Sequence, residues 1–447
     1  STLAWGVNLP ARCVVIRDTK YHDPLDGETD ISPLDVLQML GRAGRPGYDD
    51  VGYGWVVCDR SEADKYRRLL REGKEIESRL AADLDSHLNA EIAMGTIRDL
   101  DDVMSWLDTT FYAVRARSKP EEYGYENLRD RVRDTLESLV DSGFVETGED
   151  LRIEATALGR LASKYYLRLD TARRFADLCE RDRVTTDAVL EAVAGAVEFR
   201  SVSARSNEAD AVDSMLVGTD TDLEDGPRKV LAILRAAMTG STPADLRSDA
   251  WVIRQNALRL LAALREFLDR FAGPEAANLA ARVEARVEHG VSRDAVGLTA
   301  IDGIGSGRAG KLATGGLRSP ADVLDAGEAE LTRAGLTEGV AERVVESAEG
   351  LPRIEVEWGA FPDSVATGEN EMREVTVRNR GGGARAGIRV TVNDVEMTTK
   401  SCYLADETTI PVGVFGGTSA EMEFTVSVTF PELPLLPVRD SRSVVVE

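Results

Sequence analysis

Ten residues constrain this chain more than any others: Gln38-Met-Leu-Gly-Arg-Ala-Gly-Arg-Pro-Gly47. Arg42 and Arg45 stand three apart beside Gly41 and Gly44, so two guanidinium forks can be aimed at one anion while the backbone stays close to it. That pattern suits a phosphate chain. An arginine finger stabilising the charge on a transferring γ-phosphoryl is worth roughly 10³ to 10⁵ in rate in other NTPases. Taken alone, a Gly/Arg-rich surface turn with solvated charges has the same composition. Ahead of it lies a small-residue, hydroxyl-rich stretch, Ser1-Thr-Leu-Ala-Trp-Gly-Val-Asn-Leu-Pro-Ala11, and then the apolar run Cys13-Val-Val-Ile16, which reads as a buried strand.

Together the two stretches resemble motifs V and VI of a superfamily 2 helicase of the Ski-two-like group. The residues that carry this are Thr2, Gly6, Asn8, Gln38, Gly41, Arg42, Gly44, Arg45 and Gly47. The resemblance implies that Arg42 and Arg45 sense a γ-phosphate and that Gln38 orients the attacking water or the adenosine side. Gly6, Asn8, Gly41 and Gly44 would couple nucleotide to strand, and Thr2 would grip single strand. Between the motifs, Asp26-Gly27 flanked by strand-like residues signals a hairpin. In the family such a hairpin is a wedge at the duplex junction, with Tyr21 and His22 as its stacking faces; an exposed polar loop fits the same residues. Pro33 opens the helix that leads into the arginine motif, and Gly52-Tyr-Gly-Trp-Val-Val-Cys58 reads as the last strand of an α/β lobe.

At 447 residues the chain can hold three or more domains. Ser1 falls inside a motif with no initiator Met, so a longer parent protein is expected. A net charge of −24 has the wrong sign for a typical nucleic-acid binder. Yet only eight of the 54 basic residues are Lys, against 78 acidic ones, a balance that resembles the proteins of a haloarchaeon. In molar salt the Debye length falls to about 3 Å, so local Arg contacts rather than net charge decide binding to phosphates. An acidic protein that never touches nucleic acid fits the same balance. Cys13, Cys58, Cys179 and Cys402 show no paired spacing, which argues for a reducing cytoplasm without zinc site or disulfide frame. Three histidines suggest no metal centre, and no apolar run approaches the ~18 residues of a membrane span.

From residue 76 the pattern turns helical. Leu84-Asp-Ser-His-Leu-Asn-Ala-Glu-Ile92, Trp106-Leu-Asp-Thr-Thr-Phe-Tyr112 and Lys119-Pro-Glu-Glu-Tyr-Gly124 resemble the winged helix of the spliceosomal helicase. A helix over 126–142 and two wing strands around 143–146 and 151–153 should follow. Thr156-Ala-Leu-Gly-Arg-Leu-Ala-Ser-Lys-Tyr-Tyr-Leu167 and Glu198-Phe-Arg-Ser-Val-Ser-Ala-Arg-Ser-Asn-Glu208 resemble the same group. Two helices are expected over 228–238 and 244–271. The second carries a core stripe of Ile253, Ala257, Leu260, Leu264 and Phe267, with Arg247, Trp251 and Arg254 on a neighbouring face. An indole between two guanidinium groups suits a base stacked on Trp251 with flanking phosphates on the arginines. Packing of Trp251 against a neighbouring domain remains the other reading.

Gly305 to Lys311 has the glycine and lysine spacing of a Walker A loop, but position eight is Leu312, which offers no hydroxyl to a metal, and no buried strand leads in. A helix-hairpin-helix explains more: Gly303 and Gly305 make a tight turn whose amides can hold a phosphate, flanked by Arg308 and Lys311. Such hairpins also occur as purely structural units. After Pro352 the periodicity becomes two, and about seven short strands suit an immunoglobulin-like sandwich.

The expected fold class is multidomain α/β plus α plus β. A partial second RecA-like lobe covers 1–75, a winged helix 76–165, a helical ratchet bundle 166–290, a helix-hairpin-helix 291–350 and the β-sandwich 351–447. Bundle, hairpin and sandwich in that order resemble the Sec-sixty-three module of the spliceosomal helicases. The resemblance implies the C-terminal half of an ATP-dependent helicase moving 3′ to 5′ on single strand and unwinding duplex. ATP and Mg²⁺ would be its cofactors, the Mg²⁺ ligands lying in a missing N-terminal RecA-like lobe, so this stretch alone should be inactive. Expected partners are that lobe and single-stranded or forked DNA or RNA, with no membrane and a monomeric state. A non-catalytic nucleic-acid-binding or scaffold protein derived from such a helicase, or an acidic interaction module, is the alternative.

Overall fold

The computed structural model describes residues 10–25, 27–73, 75–148, 152–219, 221–417 and 420–447. Thr2, Gly6 and Asn8 therefore lie outside the described residues, as does Asp26. Contacts divide the chain into two units, one running up to Thr156 with Ser201–Ser203, the other comprising Ala157–Arg200 and Ala204–Glu447. No helix among the described residues is long and apolar enough to cross a membrane.

In the first unit, the strand Cys13–Ile16 pairs in parallel with Tyr53–Val56, Cys13 opposite Tyr53 and Ile16 opposite Val56. Ile16 and Val56 turn inward to meet Val36 of the helix Pro33–Leu40 and Tyr66 and Leu69 of the helix Ala63–Glu72. Alternate residues point the other way: Val15 and Trp55 are 52% and 61% exposed. Residues apolar on both faces are the signature of a strand built to be covered on both sides. The hairpin between them joins Lys20–Asp23 to Gly27–Asp30. Gly27 stands opposite Asp23 at φ +74°, in the left-handed region that glycine adopts without strain.

The helices Leu84–Ala93, Leu100–Asp108, Phe111–Ser118 and Leu128–Asp141 pack Leu88, Ile97, Val103, Leu107, Val132 and Leu139 into one core, followed by the antiparallel strands Val145–Thr147 and Ile153–Ala155. Arg115 grips Glu75 at 2.6 Å and Glu77 at 2.7 Å, while Lys119 reaches Glu75 at 2.8 Å. Tyr123 also hydrogen-bonds Glu77, and Tyr123, Arg115 and Lys119, the last at 3.3 Å, hold that carboxyl down at about 2.

The second unit begins with the helix Ala157–Lys164, which packs on Leu169–Cys179 and on the long helix Arg247–Phe271. The bundle thus starts ahead of residue 166, because buried Ala162 belongs to it. Asp225–Thr239 runs through the middle, buried on nearly every side. Along Arg247–Phe271 the stripe Ile253, Ala257, Leu260, Leu264 and Phe267 is wholly buried. Pro274–His289 returns antiparallel to it, then Ser306–Thr314, Pro320–Arg333 and Glu338–Glu349 share a smaller core around Leu298, Leu312, Leu331 and Val344.

Two sheets complete the unit. One orders Val395–Leu404, Ala384–Val392, Glu421–Thr429, Val438–Val446 and Ser364–Val365; the other orders Glu407–Phe415, Asn370–Asn379 and Ile354–Glu357. Val375, Val377, Ile388, Val390, Val412, Phe424 and Val426 meet in the core between them. Asn278, wholly buried on Pro274–His289, ties bundle to sheets: its amide donates to the carbonyls of Phe430, Leu433 and Leu435 at 3.0, 3.1 and 3.0 Å.

A buried charge cluster fixes the bundle. Lys229 is 1% exposed and lies 2.8 Å from Glu208 and 2.5 Å from Asp249. Burial works to raise the Asp249 carboxyl, but Lys229, Ser248 and Arg205 outweigh it and hold the group below its ordinary value. Asp249 therefore stabilises the fold above the unfolded carboxylate range of about 4, and that contribution is lost as pH falls through its lower folded value. Lys229→Ala strands two buried carboxylates and should cost about 3–5 kcal/mol. Urea unfolding checks this, with the deficit shrinking once pH falls far enough to protonate the stranded pair; a loss under about 1 kcal/mol at neutral pH would show the cluster to be dispensable.

Candidate nucleotide and nucleic-acid interface

Ser32 caps Pro33–Leu40 by accepting from the Asp35 amide at 3.1 Å, and the helix runs directly into the arginine loop. The loop is stitched to the start of the first strand: Ala11 N donates to Arg42 O at 3.0 Å and Gly44 N to Ala11 O at 2.7 Å. Gly44 and Gly47 take φ of +98° and +82°, a region open to glycine at little cost. Gly52, at the entry to the second strand, presses on the loop from beneath; a Cβ there would lie 2.4 Å from the Ala43 carbonyl carbon. The sequence reading missed Gly52, since only the close approach of two backbones reveals it.

Gln38 is exposed, Arg42 half-buried and Arg45 exposed on this loop. Arg45 is not extended toward open space. Its Nε and Nη2 donate to the two Asp49 oxygens at 2.7 and 2.9 Å, and its amide donates to Oδ2 at 3.2 Å. That bidentate bond pushes the Arg45 guanidinium up and the Asp49 carboxyl down from their ordinary values. Asp49 was also unforeseen, although an acid four residues after an arginine is a readable pairing signal. In the hairpin Tyr21 is half exposed and pairs with Thr29, while His22 pairs with Glu28.

In the second unit, Arg247, Trp251 and Arg254 lie on the long helix beside its buried stripe. Trp251 is 67% exposed, so it is not a core residue. Arg247 Nε donates to the Thr242 carbonyl at 3.3 Å, and Arg254 Nε is buried without a hydrogen-bond partner among the described residues. Asp249, two residues after Arg247, lies on the buried side of the helix, where it pairs with Lys229.

Gly303 takes φ +80° and Gly305 caps the helix Ser306–Thr314, into whose core Ala309 and Leu312 project fully buried. Leu312, the eighth position of the Walker-like spacing, faces inward. Arg308 bonds back to the Gly303 carbonyl; neither it nor Lys311 forms an ion pair among the described residues. A Cβ on Gly305, Gly307 or Gly310 would meet nothing within 4 Å, so internal packing does not require glycine there. The bare helix face is accessible to an outside backbone.

Residues 155–439 match the model of the Sec63 Brl domain. The chain belongs to that family. Residues 77–155 match a winged helix-turn-helix domain. Similarity to individual proteins supports the assignment. Human activating signal cointegrator 1 complex subunit 3 is 32% identical over 287 residues, 60% of this chain and 13% of that protein. Its Danio rerio counterpart is 36% identical over 225 residues, 47% and 15% of the two chains. The U5 small nuclear ribonucleoprotein 200 kDa helicase of Drosophila melanogaster is 33% identical over 288 residues, again 60% and 13%. The matched stretch thus spans about 13% of the length of these relatives. Among solved structures, the CARDB domain of a Pyrococcus furiosus protein aligns over 22% of this chain and 94% of its own at 22% identity, with a TM-score of 0.20.

Gly52→Ala tests whether the arginine loop is held from beneath. Overpacking of this kind costs about 1–3 kcal/mol, and amide exchange at Gly44 should speed up as its bond to Ala11 opens. Unchanged exchange at Gly44 would show that the loop keeps its place without Gly52.

Proposed function

We propose that this chain is part of an ATP-dependent nucleic-acid helicase of the Ski-two-like group, carrying the end of its second RecA-like lobe ahead of a winged helix and a Sec63 segment that closes in an immunoglobulin-like sandwich. The arginine loop carries this reading: a loop bonded to one parallel strand and wedged by the other presents Gln38, Arg42 and Arg45 together. Kinship to a Drosophila protein named as a helicase supports it. So does the strand pair with an uncovered apolar face, which suits a larger parallel sheet.

Guanidinium forks fit a phosphate chain, and ATP would supply the phosphoryl transfer whose energy moves the protein. The Mg²⁺ ligands are assigned to the preceding lobe. Within this chain the step is an exchange of partners. Arg45 would leave Asp49 for the phosphate chain, and Arg12, with its Nε 4.0 Å from the same carboxylate, would stay to offset the charge left behind. Arg42 would help hold the same phosphates. The exposed hairpin at Tyr21 and His22 parts the duplex, and the face of Arg247, Trp251 and Arg254, with the Gly303 turn, Gly305, Arg308 and Lys311, holds the strand, moved 3′ to 5′.

In the intact protein, Arg45→Ala should lower kcat for ATP hydrolysis by about 10³ or more while KM changes far less, because the interaction forms mainly in the transition state. An equal fall in affinity and rate would make Arg45 a ground-state phosphate ligand. Absence of hydrolysis in the intact wild type would make the protein a non-catalytic binder.

Strand binding is tested separately. Trp251→Ala should weaken single-strand binding by about 1–3 kcal/mol with little sequence preference and leave the melting temperature unchanged, since the indole is exposed. Fluorescence anisotropy with a labelled oligonucleotide measures it, and full retention of affinity would remove the strand from this helix.

A further inference from the structure

The bundle holds a second concentration of positive charge that none of these roles uses. A cleft of about 210 Å³ lies between the residues leading into the helix Thr186–Ala194, the helix Pro274–His289 and the turn before the 3₁₀ segment Val296–Ala300. Arg183, Arg282, Arg286 and Arg293 line it over an apolar floor of Leu279 and Val283, and no carboxylate lines it among the described residues. A wider cleft elsewhere in the bundle, with Arg173, Arg174 and Arg181 on its walls, also carries four carboxylates.

The nearby acids are turned to other cations. Asp187 pairs with Arg235 at 2.6 Å, Glu284 faces Arg265 at 3.4 Å and Asp294 pairs with Arg318 at 2.7 Å. The cleft arginines find only neutral acceptors: Arg282 Nε donates to Asn278 Oδ1 at 3.1 Å and Arg286 Nε to Val291 O at 3.1 Å. Arg293 forms no hydrogen bond or ion pair among the described residues. Burial, then repulsion from Arg293, Arg439 and Arg286, pulls the Arg282 guanidinium down; burial and Arg293 do the same to Arg286. With no carboxylate among them, this grouping holds uncompensated repulsion.

We propose that this cleft binds a compact phosphoryl anion, its oxygens shared among Arg282, Arg286 and Arg293 with Arg183 at the rim. A carboxylate offers two oxygens and one charge, too few for three or four planar forks. A phosphoryl group offers three oxygens and up to about two charges, which match the donors present. The helix Thr186–Ala194 begins at the cleft and adds the positive end of its dipole. The group could belong to a nucleic-acid backbone or to a small phosphorylated solute, and the site does not depend on the strand-binding face at Trp251.

The test is a titration of the purified chain with pyrophosphate at constant ionic strength, read by calorimetry and by melting temperature. Saturable binding with a rise in Tm is expected. Arg293→Gln should weaken it at least about tenfold, the size of one charge-assisted hydrogen bond, and should also raise the Tm of the unliganded chain by relieving the repulsion on Arg282. A structural role gives the opposite pattern: a lower unliganded Tm in Arg293→Gln and no pyrophosphate effect beyond ionic strength. That result, or binding that survives in the double variant Arg183→Gln/Arg293→Gln, overturns the proposal. A single-stranded oligonucleotide then separates the sources of the anion. Competition with pyrophosphate that Arg293→Gln abolishes assigns the cleft to a strand backbone, and pyrophosphate binding without competition assigns it to a small solute.

Discussion

The second unit depends on one buried ammonium. Lys229 projects from a helix whose other buried positions are nearly all apolar, and it meets Glu208 and Asp249 from two other segments. With Arg205 at the edge, 3.3 Å from Asp249, the group has two positive and two negative members. Neutrality is what makes it tolerable, since an uncompensated charge at that depth would cost several kcal/mol, about what folding can bear.

Glycines divide into those that packing demands and those that it does not. Gly290 ends its helix in the left-handed region, and a Cβ there would come 2.7 Å from the Cα of Gly240, which ends another helix the same way. Two helix ends meet there because neither carries a side chain. Gly387 admits Pro274 at the start of Pro274–His289 by the same means, a Cβ falling 2.2 Å from the proline ring. Gly305, Gly307 and Gly310 are the opposite case, with open space where each Cβ would be. A helix that gives up stability for glycines it does not need internally keeps its backbone open to something outside.

The elements that could be read from the sequence were those with a strong period. The stripe from Ile253 to Phe267 reads as core because five apolar residues recur at helical spacing, and all five are fully buried. The strands Val395–Leu404 and Glu407–Phe415 went unread, although Ile410, Val412 and Val414 of the second do alternate and are buried. The first is an edge strand, mostly exposed on both faces, so its residues alternate in nothing that hydropathy can register. Its turn, Asn393-Asp394 with φ of +47° and +65°, lacks the glycine that marks such hairpins. Candidate site residues were legible where charge and glycine share a short motif, as in the arginine loop. Their partners were not: Gly52, Lys229 and Asn278 act through backbone approach and burial, which belong to the fold rather than to any local pattern.

Charge pairing separates structural cations from the rest more cleanly than sequence does. Most of the ion pairs in this acidic chain are exposed ones worth at most about 1 kcal/mol. Such pairs exchange readily. Around Arg282 the neighbouring acids Asp187, Glu284 and Asp294 are turned to other cations, which leaves its guanidinium without a carboxylate. Arg45 illustrates the intermediate case: its fork is satisfied by Asp49, yet the partner is a single carboxylate with Arg12 already beside it, so the bond can be given up to a stronger anion without stranding a charge. The net charge of −24 therefore says little about whether this chain meets phosphate. What decides it is where guanidinium groups gather with no carboxylate among them, as Arg282, Arg286 and Arg293 do.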